Sequence, residues 1–345
     1  MIFIKKCIAA IVLFLTVFIA SCGYNRVEAL TYAVYPYIPD AEYYQEIIER
    51  RWAEIEPNIK LVRAEWNCYH DGVPDGIDVI MYDAVMRDAL IEDGWIRPID
   101  PGKVQNAEDI FSFALEDLTV NGKLYGVPVF LCGNFLIYDM GSTELAEAEH
   151  LTDFRDESEL LVINSEHDSN RAQYFYEVLA DTLGEANPME SEDTDGLMEF
   201  IDRLAVDAHK RDDDTQVALA YDAGIGKGYI GFSESLRLLS KRISRTGIKS
   251  ISFSDQDNIA RLYVDAAAIN SKVKGPRFEK CTELVNVIAE ADVLSALSVQ
   301  NGAAQYLLLA RKTPYQTLRE RFPLYAELEK LASNDYNHVI LGPRP

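Results

Sequence analysis

Ile77-Asp78-Val79-Ile80-Met81-Tyr82-Asp83-Ala84 is a short, nearly continuous apolar run that closes on an acid. A run of this kind, rather than an alternating one, marks a strand covered on both faces, as in the parallel sheets of α/β proteins. Upstream, residues 30–35 read as a strand stopped by Pro36, and residues 59–66 as another. Between them Asp40 can cap a helix whose apolar face uses Tyr43, Tyr44, Ile47, Ile48, Trp52 and Ile55, with Pro57 as its stop. Downstream, residues 83–93 read as a helix ended by Gly94. Strand, helix, strand, strand, helix defines an α/β lobe with a mainly parallel sheet.

The chain has 345 residues, 48% of them apolar and 26% charged, which exceeds one ordinary domain and leaves ample core material. Two lobes are the expectation. Asn121-Gly122-Lys123 makes a turn, and residues 124–138 then run extended and largely apolar. Helical periodicity returns at 171–183 and 196–209. A Gly-rich strand at 224–232 feeds a helix that Ser233 begins. Residues 261–269 form a strand that carries the chain back to the first lobe, and helices at 278–289 and 314–332 close the fold.

The amino terminus has a different character. Lys5 and Lys6 precede an apolar run from Ile8 to Ala20, followed by Ser21 and Cys22. A basic start, a short apolar stretch and a small residue before the break read as a secretory signal peptide. The stretch is short of the roughly 20 residues that a spanning helix needs. Ile19-Ala20-Ser21-Cys22 resembles a bacterial lipobox, which implies cleavage before Cys22, lipid on its sulfur and a membrane-anchored lipoprotein on the cell surface or in the periplasm. Ordinary signal cleavage near the same point is the plainer alternative. The expected division is 1–21 as signal peptide with lipobox, 22–135 as the first part of lobe one, 136–264 as lobe two, and 265–345 as the return to lobe one with the C-terminal helices.

Removing residues 1–21 takes away two lysines and no acid, so the formal charge moves from −23 to about −25. Such a surface repels nucleic acid and anionic head groups and draws cations, so nucleic acid is excluded as a partner. Of the five cysteines, Cys7 leaves with the signal and Cys22 would carry lipid. Cys68, Cys132 and Cys281 remain, an odd number for an exported chain. No CxxC occurs, and the five histidines have no zinc spacing.

Cys132 interrupts an apolar stretch together with Gly133 and Asn134. Its plain reading is a small buried hydrophobe; its chemical reading is a nucleophile that needs a base or a lowered pKa. Glu234 follows the strand Tyr229-Ile230-Gly231-Phe232 at the start of a helix. There it either complements the helix dipole or faces a cleft as a general base. Tyrosine is abundant, 19 against 14 phenylalanines and 3 tryptophans. Tyr35, Tyr37, Tyr69 and Tyr263 lie near strand ends with Asp83 and Asp265 close by. Tyrosine faces beside carboxylates suit a flat cationic heteroaromatic ring, although amphipathic tyrosines also line core boundaries. Ligands of open α/β sheets bind beyond the carboxyl ends of the strands, where these residues fall.

Taken in order, several segments resemble thiaminase I. They are Tyr35-Pro36-Tyr37-Ile38-Pro39-Asp40, Trp66-Asn67-Cys68-Tyr69, Asp78 to Ala84, Tyr125-Gly126-Val127-Pro128 through Cys132-Gly133-Asn134, Tyr229-Ile230-Gly231-Phe232-Ser233-Glu234-Ser235, Tyr263-Val264-Asp265 with Ile269-Asn270-Ser271, Gln305 to Lys312, and Leu341-Gly342-Pro343. They span essentially the whole mature chain. The Asn121 to Pro128 segment also resembles the crossover of solute-binding proteins, and thiaminases I are similar in fold to type II periplasmic binding proteins. The resemblance therefore implies a two-lobed α/β fold with its active site in the inter-lobe cleft.

It also implies a chemistry. In that family a cysteine adds to C6 of the thiamine pyrimidine, the thiazole departs from the bridging methylene, and an amine or thiol then takes the pyrimidinylmethyl group. The cysteine falls on Cys132 and the activating glutamate on Glu234; Tyr35, Tyr37, Tyr69, Asp83, Tyr263 and Asp265 fall on substrate-binding positions. Thiamine and a small nucleophile are the implied partners, no cofactor or metal is required, and a monomer is expected. The chain departs from the family at three places. Phe232 stands for a common tyrosine, Gly133 for a usual threonine, and Ser165-Glu166-His167-Asp168-Ser169-Asn170-Arg171 for a Gly/Thr/Cys-rich stretch. Two alternatives stand beside this reading: a non-catalytic solute-binding lipoprotein for thiamine or a relative, and a related enzyme acting on another heteroaromatic cation.

Overall fold

The computed structural model describes residues 27–69, 72–154, 156–163, 199–200, 203–206, 214–251, 260–334 and 337–339. The signal and lipobox region with Cys22, the 165–171 stretch, most of the helices expected at 171–183 and 196–209, and the 341–343 segment lie outside them.

The first lobe starts with β1 (Ala29–Ala33), α1 (Ala41–Ile55), β2 (Lys60–Arg63), β3 (Val79–Asp83) and α2 (Arg87–Glu92). Asp40 caps α1 from a left-handed backbone, φ 54°, its side chain accepting from the Tyr43 amide. The helix buries Tyr44, Ile47, Ile48 and Trp52 against the sheet and leaves Ile55 exposed. Burial of each large apolar side chain contributes roughly 1.5–3 kcal/mol. The Trp52 indole donates to the Ile59 carbonyl at 2.9 Å, tying the end of α1 to the start of β2. All five residues of β3 are buried, as its unbroken apolar sequence requires. The helix expected from Asp83 onward begins later: Asp83 ends the strand, its carboxylate accepts from the Val85 amide, and a short 3-10 turn leads into α2.

β4 (Val127–Cys132) belongs to this first sheet, whereas β5 (Phe135–Asp139) belongs to a second. The single extended run expected at 124–138 is thus two strands in two sheets. The second sheet is completed by β6 (Leu161–Val162), β7 (Gly228–Gly231) and β8 (Thr246–Lys249), in the order β8-β5-β7-β6. Helix α3 (Asp214–Asp222) lies beside it. One face of this sheet has its own core, with Leu136, Leu145, Phe154, Leu161 and Ile230. Ile137, Val162 and Tyr229 join the larger core that continues into the first lobe.

The chain returns through β9 (Arg261–Asn270), buried along nine of its ten residues, and continues with α4 (Pro276–Ile288), α5 (Ala291–Leu297), β10 (Leu308–Leu309), α6 (Thr313–Arg321) and α7 (Leu324–Ala332). The first sheet runs β10-β4-β9-β3-β1-β2. It is mixed rather than mainly parallel. β1 is parallel to β2 and β3, but β9 is antiparallel to both β3 and β4, because it re-enters from the second sheet in the opposite direction. The helix expected at 314–332 is broken into α6 and α7 at Phe322, whose backbone is extended; Pro323, the next residue, has no amide to donate.

The outgoing crossover is only Gly133-Asn134 long, and it passes tightly against the returning chain. A Cβ on Gly133 would sit 2.5 Å from the Arg261 carbonyl oxygen and 3.2 Å from a Leu262 methyl. The glycine standing for threonine here is therefore demanded by packing in this chain. Gly133→Ala is expected to destabilise the fold by about 1–3 kcal/mol, the usual cost of overpacking. Thermal unfolding of the purified variant checks this; an unchanged midpoint would mean that the two crossovers are not in contact.

A candidate active site between the two sheets

The strand register assembles most of the site. Cys132, the last residue of β4, stands opposite Tyr263 of β9, and two residues on Asp265 stands opposite Asp83 at the end of β3. Directly opposed residues of antiparallel strands share a face, with Cβ atoms about 4.5–5.5 Å apart. The register between β9 and β4 shifts between Asp265 and Ala266, a bulge that re-aims the strand next to the aspartate. Three neighbouring strands thus bring Cys132, Tyr263, Asp265 and Asp83 together.

Glu234 arrives from the other sheet. β7 ends at Gly231, Phe232 is extended, and a 3-10 segment runs over Ser233–Leu238. Ser233 does not cap a helix, as its sequence position suggests; it lies inside the 3-10 turn, its hydroxyl buried and, among the described residues, in no hydrogen bond. Ser235 holds the elbow instead. Its Oγ donates to the Phe232 carbonyl at 2.6 Å and lies 2.8 Å from the Tyr229 hydroxyl, which is left to act as the donor. With Tyr229 fully buried, the turn that carries Glu234 is fixed from below.

Between the sheets lies a cleft of about 530 Å³, its open mouth included. Its polar lining is Tyr35, Tyr37, Cys132, Glu234 and Asp265. Cys132 and Glu234 are both partly exposed, so each is open to a ligand. The rest of the lining is apolar: Ile38, Pro39, Phe130, Leu131, Phe232, Leu307 and Leu308. Sequence reasoning missed this apolar wall as a wall. Ile38-Pro39 precedes the cap of α1, and Leu307-Leu308 follows Tyr306, whose φ of 54° turns the backbone through the left-handed region. No residue type at Tyr306 marks that turn in the sequence, so the wall had no local signal.

Tyr69, Asp83 and Tyr263 stand behind the lining rather than in it. Tyr69 donates its hydroxyl proton to Asp83 Oδ2 at 2.5 Å, so in its 2.7 Å contact with Tyr35 it is the acceptor and Tyr35 the donor. Tyr35 is thereby oriented through a chain that ends on a buried carboxylate. The rings of Tyr35 and Tyr37 meet edge to face at 5.3 Å, and Asn67 donates to the Tyr37 hydroxyl at 3.0 Å. Tyr37 is 59% exposed and forms a rim that a flat ligand can stack on. Tyr44 backs the wall through Phe130, 5.5 Å away, and donates to the Ile288 carbonyl at 2.7 Å. Burial, then Tyr32 and then Asp265 hold its phenol well above the usual range.

Asp83 and Asp265 are 0% and 5% exposed and face each other across two strands. None of the lining residues is basic. Two buried carboxylates side by side repel, and a cation or an array of N–H donors placed against them relieves that repulsion. Among the described residues no disulfide joins the cysteines; Cys68 and Cys281 are buried. Burial, and then Asp78, push the Cys281 thiol well above its normal range.

No protein-family model matches the chain. Thiaminase-1 of Paenibacillus thiaminolyticus is 29% identical over 344 residues, covering 91% of this chain and 84% of that protein. The Clostridium botulinum thiaminase I solved in complex with thiamin superposes with a TM-score of 0.81 at 27% identity, covering 91% of this chain and 94% of that one. Maltose-bound T. maritima MalE3 shares the fold alone, with a TM-score of 0.68 at 14% identity over 92% of this chain and 90% of that one. Fold and cleft together place the chain in one fold class, the two-lobed α/β fold of type II periplasmic binding proteins. Within that class the chain is a homologue of thiaminase I.

Proposed function

We propose that the chain cleaves thiamine and transfers its pyrimidinylmethyl group to an amine or thiol. The observation that carries this reading is one cleft lined by a thiol from the first sheet, Cys132, and carboxylates from both, Asp265 and Glu234. A binding protein needs an acidic, aromatic cleft for a flat cation; it does not need a partly exposed thiol and a carboxylate on opposite walls.

In this reading Glu234 takes the Cys132 proton and the thiolate adds to C6 of the pyrimidine. The electron pair released in the ring breaks the methylene–nitrogen bond, and that bonding pair goes to the thiazolium nitrogen, so thiazole leaves neutral. The acceptor then bonds to the methylene and gives up its proton. The Cys132 sulfur leaves, the ring regains aromaticity, and the net reaction releases one proton. Asp265 holds the aminopyrimidine by a charge-assisted hydrogen bond that strengthens as the ring takes up charge. Export and lipid attachment at Cys22, supported by the Ile19-Ala20-Ser21-Cys22 sequence, are part of the same proposal.

Incubating the purified protein with thiamine and a thiol, and following thiazole by mass spectrometry, tests the reading. Thiamine retained without cleavage would make the chain a solute-binding protein instead. Asp265→Asn should lower kcat and kcat/KM by similar factors with little change in KM, because the bond it removes is worth most in the transition state. A raised KM at constant kcat would reduce Asp265 to substrate binding alone.

A further inference from the structure

Resting on that reading, we infer that the acceptor is selected by charge: neutral or cationic nucleophiles are taken and anionic ones are turned away. Glu234 and Asp265 line the cleft, Asp83 stands directly across from Asp265 with no measurable exposure, and none of the lining side chains is basic. The chain as a whole, these carboxylates included, has a formal charge of −23.

The order of events leaves this charge in place when the acceptor enters. Thiamine enters as a cation and offsets one carboxylate. When the methylene–nitrogen bond breaks, its electron pair neutralises the thiazolium and the thiazole leaves uncharged. The cleft then holds the pyrimidinylmethyl group on Cys132 with its net charge unchanged: the proton on Glu234 stands in place of the thiazolium charge, and Asp265 and Asp83 remain the negative groups. The acceptor arrives at this stage and must bring its nucleophilic atom to the methylene, in the cleft that Asp265 lines with Asp83 behind it. A carboxylate or sulfonate on the acceptor enters the field of like charges a few ångströms away, where screening by water is incomplete. An uncharged acceptor meets only the apolar wall of Ile38, Leu307 and Leu308, which suits an aliphatic or aromatic body.

The test uses the wild-type protein, thiamine and two thiols of equal shape, 3-mercaptopropionamide and 3-mercaptopropionate. The acceptor kcat/KM is read from the transfer product, each rate being divided by the fraction of protonated thiol at the assay pH. The amide is expected to exceed the carboxylate by about tenfold or more at low salt. That gap should narrow in roughly 0.5 M salt, where the screening length falls to a few ångströms. Equal values for the two thiols, or a gap that salt leaves unchanged, would overturn charge selection while leaving the thiamine reading in place. Absence of thiazole with either thiol would instead remove the activity, and this inference with it.

Discussion

Cys132→Ser is expected to abolish turnover, by on the order of 10³-fold or more, while thiamine binding and the fold persist. The residue ends β4 in register with Tyr263, and its side chain is partly exposed at the cleft, so neither the strand nor a core depends on the sulfur. A hydroxyl is a far weaker nucleophile toward an aromatic carbon, and a serine fits the same space. The comparison that gives the test its force is with the other two thiols. Cys68 and Cys281 are buried, and the Cys281 thiol is driven up by burial and by Asp78, away from the reactive thiolate. Serine at either position should leave turnover nearly intact. Thiazole release at the wild-type rate from the Cys132→Ser protein would take Cys132 out of the mechanism.

The second large effect is expected at Glu234. Glutamine there keeps shape and volume but cannot accept a proton, and turnover should fall by roughly 10²-fold or more, the scale of general acid–base catalysis. The competing account, a carboxylate that complements a helix dipole, has less support in the structure than in the sequence. Beyond β7 the chain forms a six-residue 3-10 segment, not an α-helix, so few peptide dipoles align behind the side chain. Stopped-flow and steady-state assays of Glu234→Gln separate the two accounts. A small drop in unfolding temperature with undiminished turnover would leave Glu234 as a stabilising charge only.

Much of this was legible from residue order, for identifiable reasons. β3 has no polar interruption over Val79–Tyr82 and could only be a strand covered on both faces. Asp40 before an apolar-periodic run fixed the start of α1. Cys132 and Glu234 stood out because each breaks or closes an apolar strand, and the structure brings both to one cleft. What could not be read was set by partners distant in the chain. The antiparallel course of β9 depends on where it re-enters the sheet, and no local pattern records that direction. The division between lining residues and those behind them depends on register, which pairs Tyr263 with Cys132 and Asp83 with Asp265. Ser233 has the right chemistry for a cap, yet it lies inside the tight turn and caps nothing; the elbow is held by Ser235, whose hydroxyl donates to the Phe232 carbonyl.

The division of Cys132 and Glu234 between the sheets bears on how the proposed chemistry would arise and fail. Cys132 is the last residue of a strand in one sheet, and Glu234 stands just past the end of a strand in the other. A scaffold already shaped to grip a flat cation between two walls gains a reaction by altering one side chain on each wall, and loses it by altering either. The same arrangement makes the Gly133-Asn134 crossover an evolutionary lever. A change there would alter the spacing between the two groups without touching either, so activity could drift while the ligand-gripping surface stayed the same.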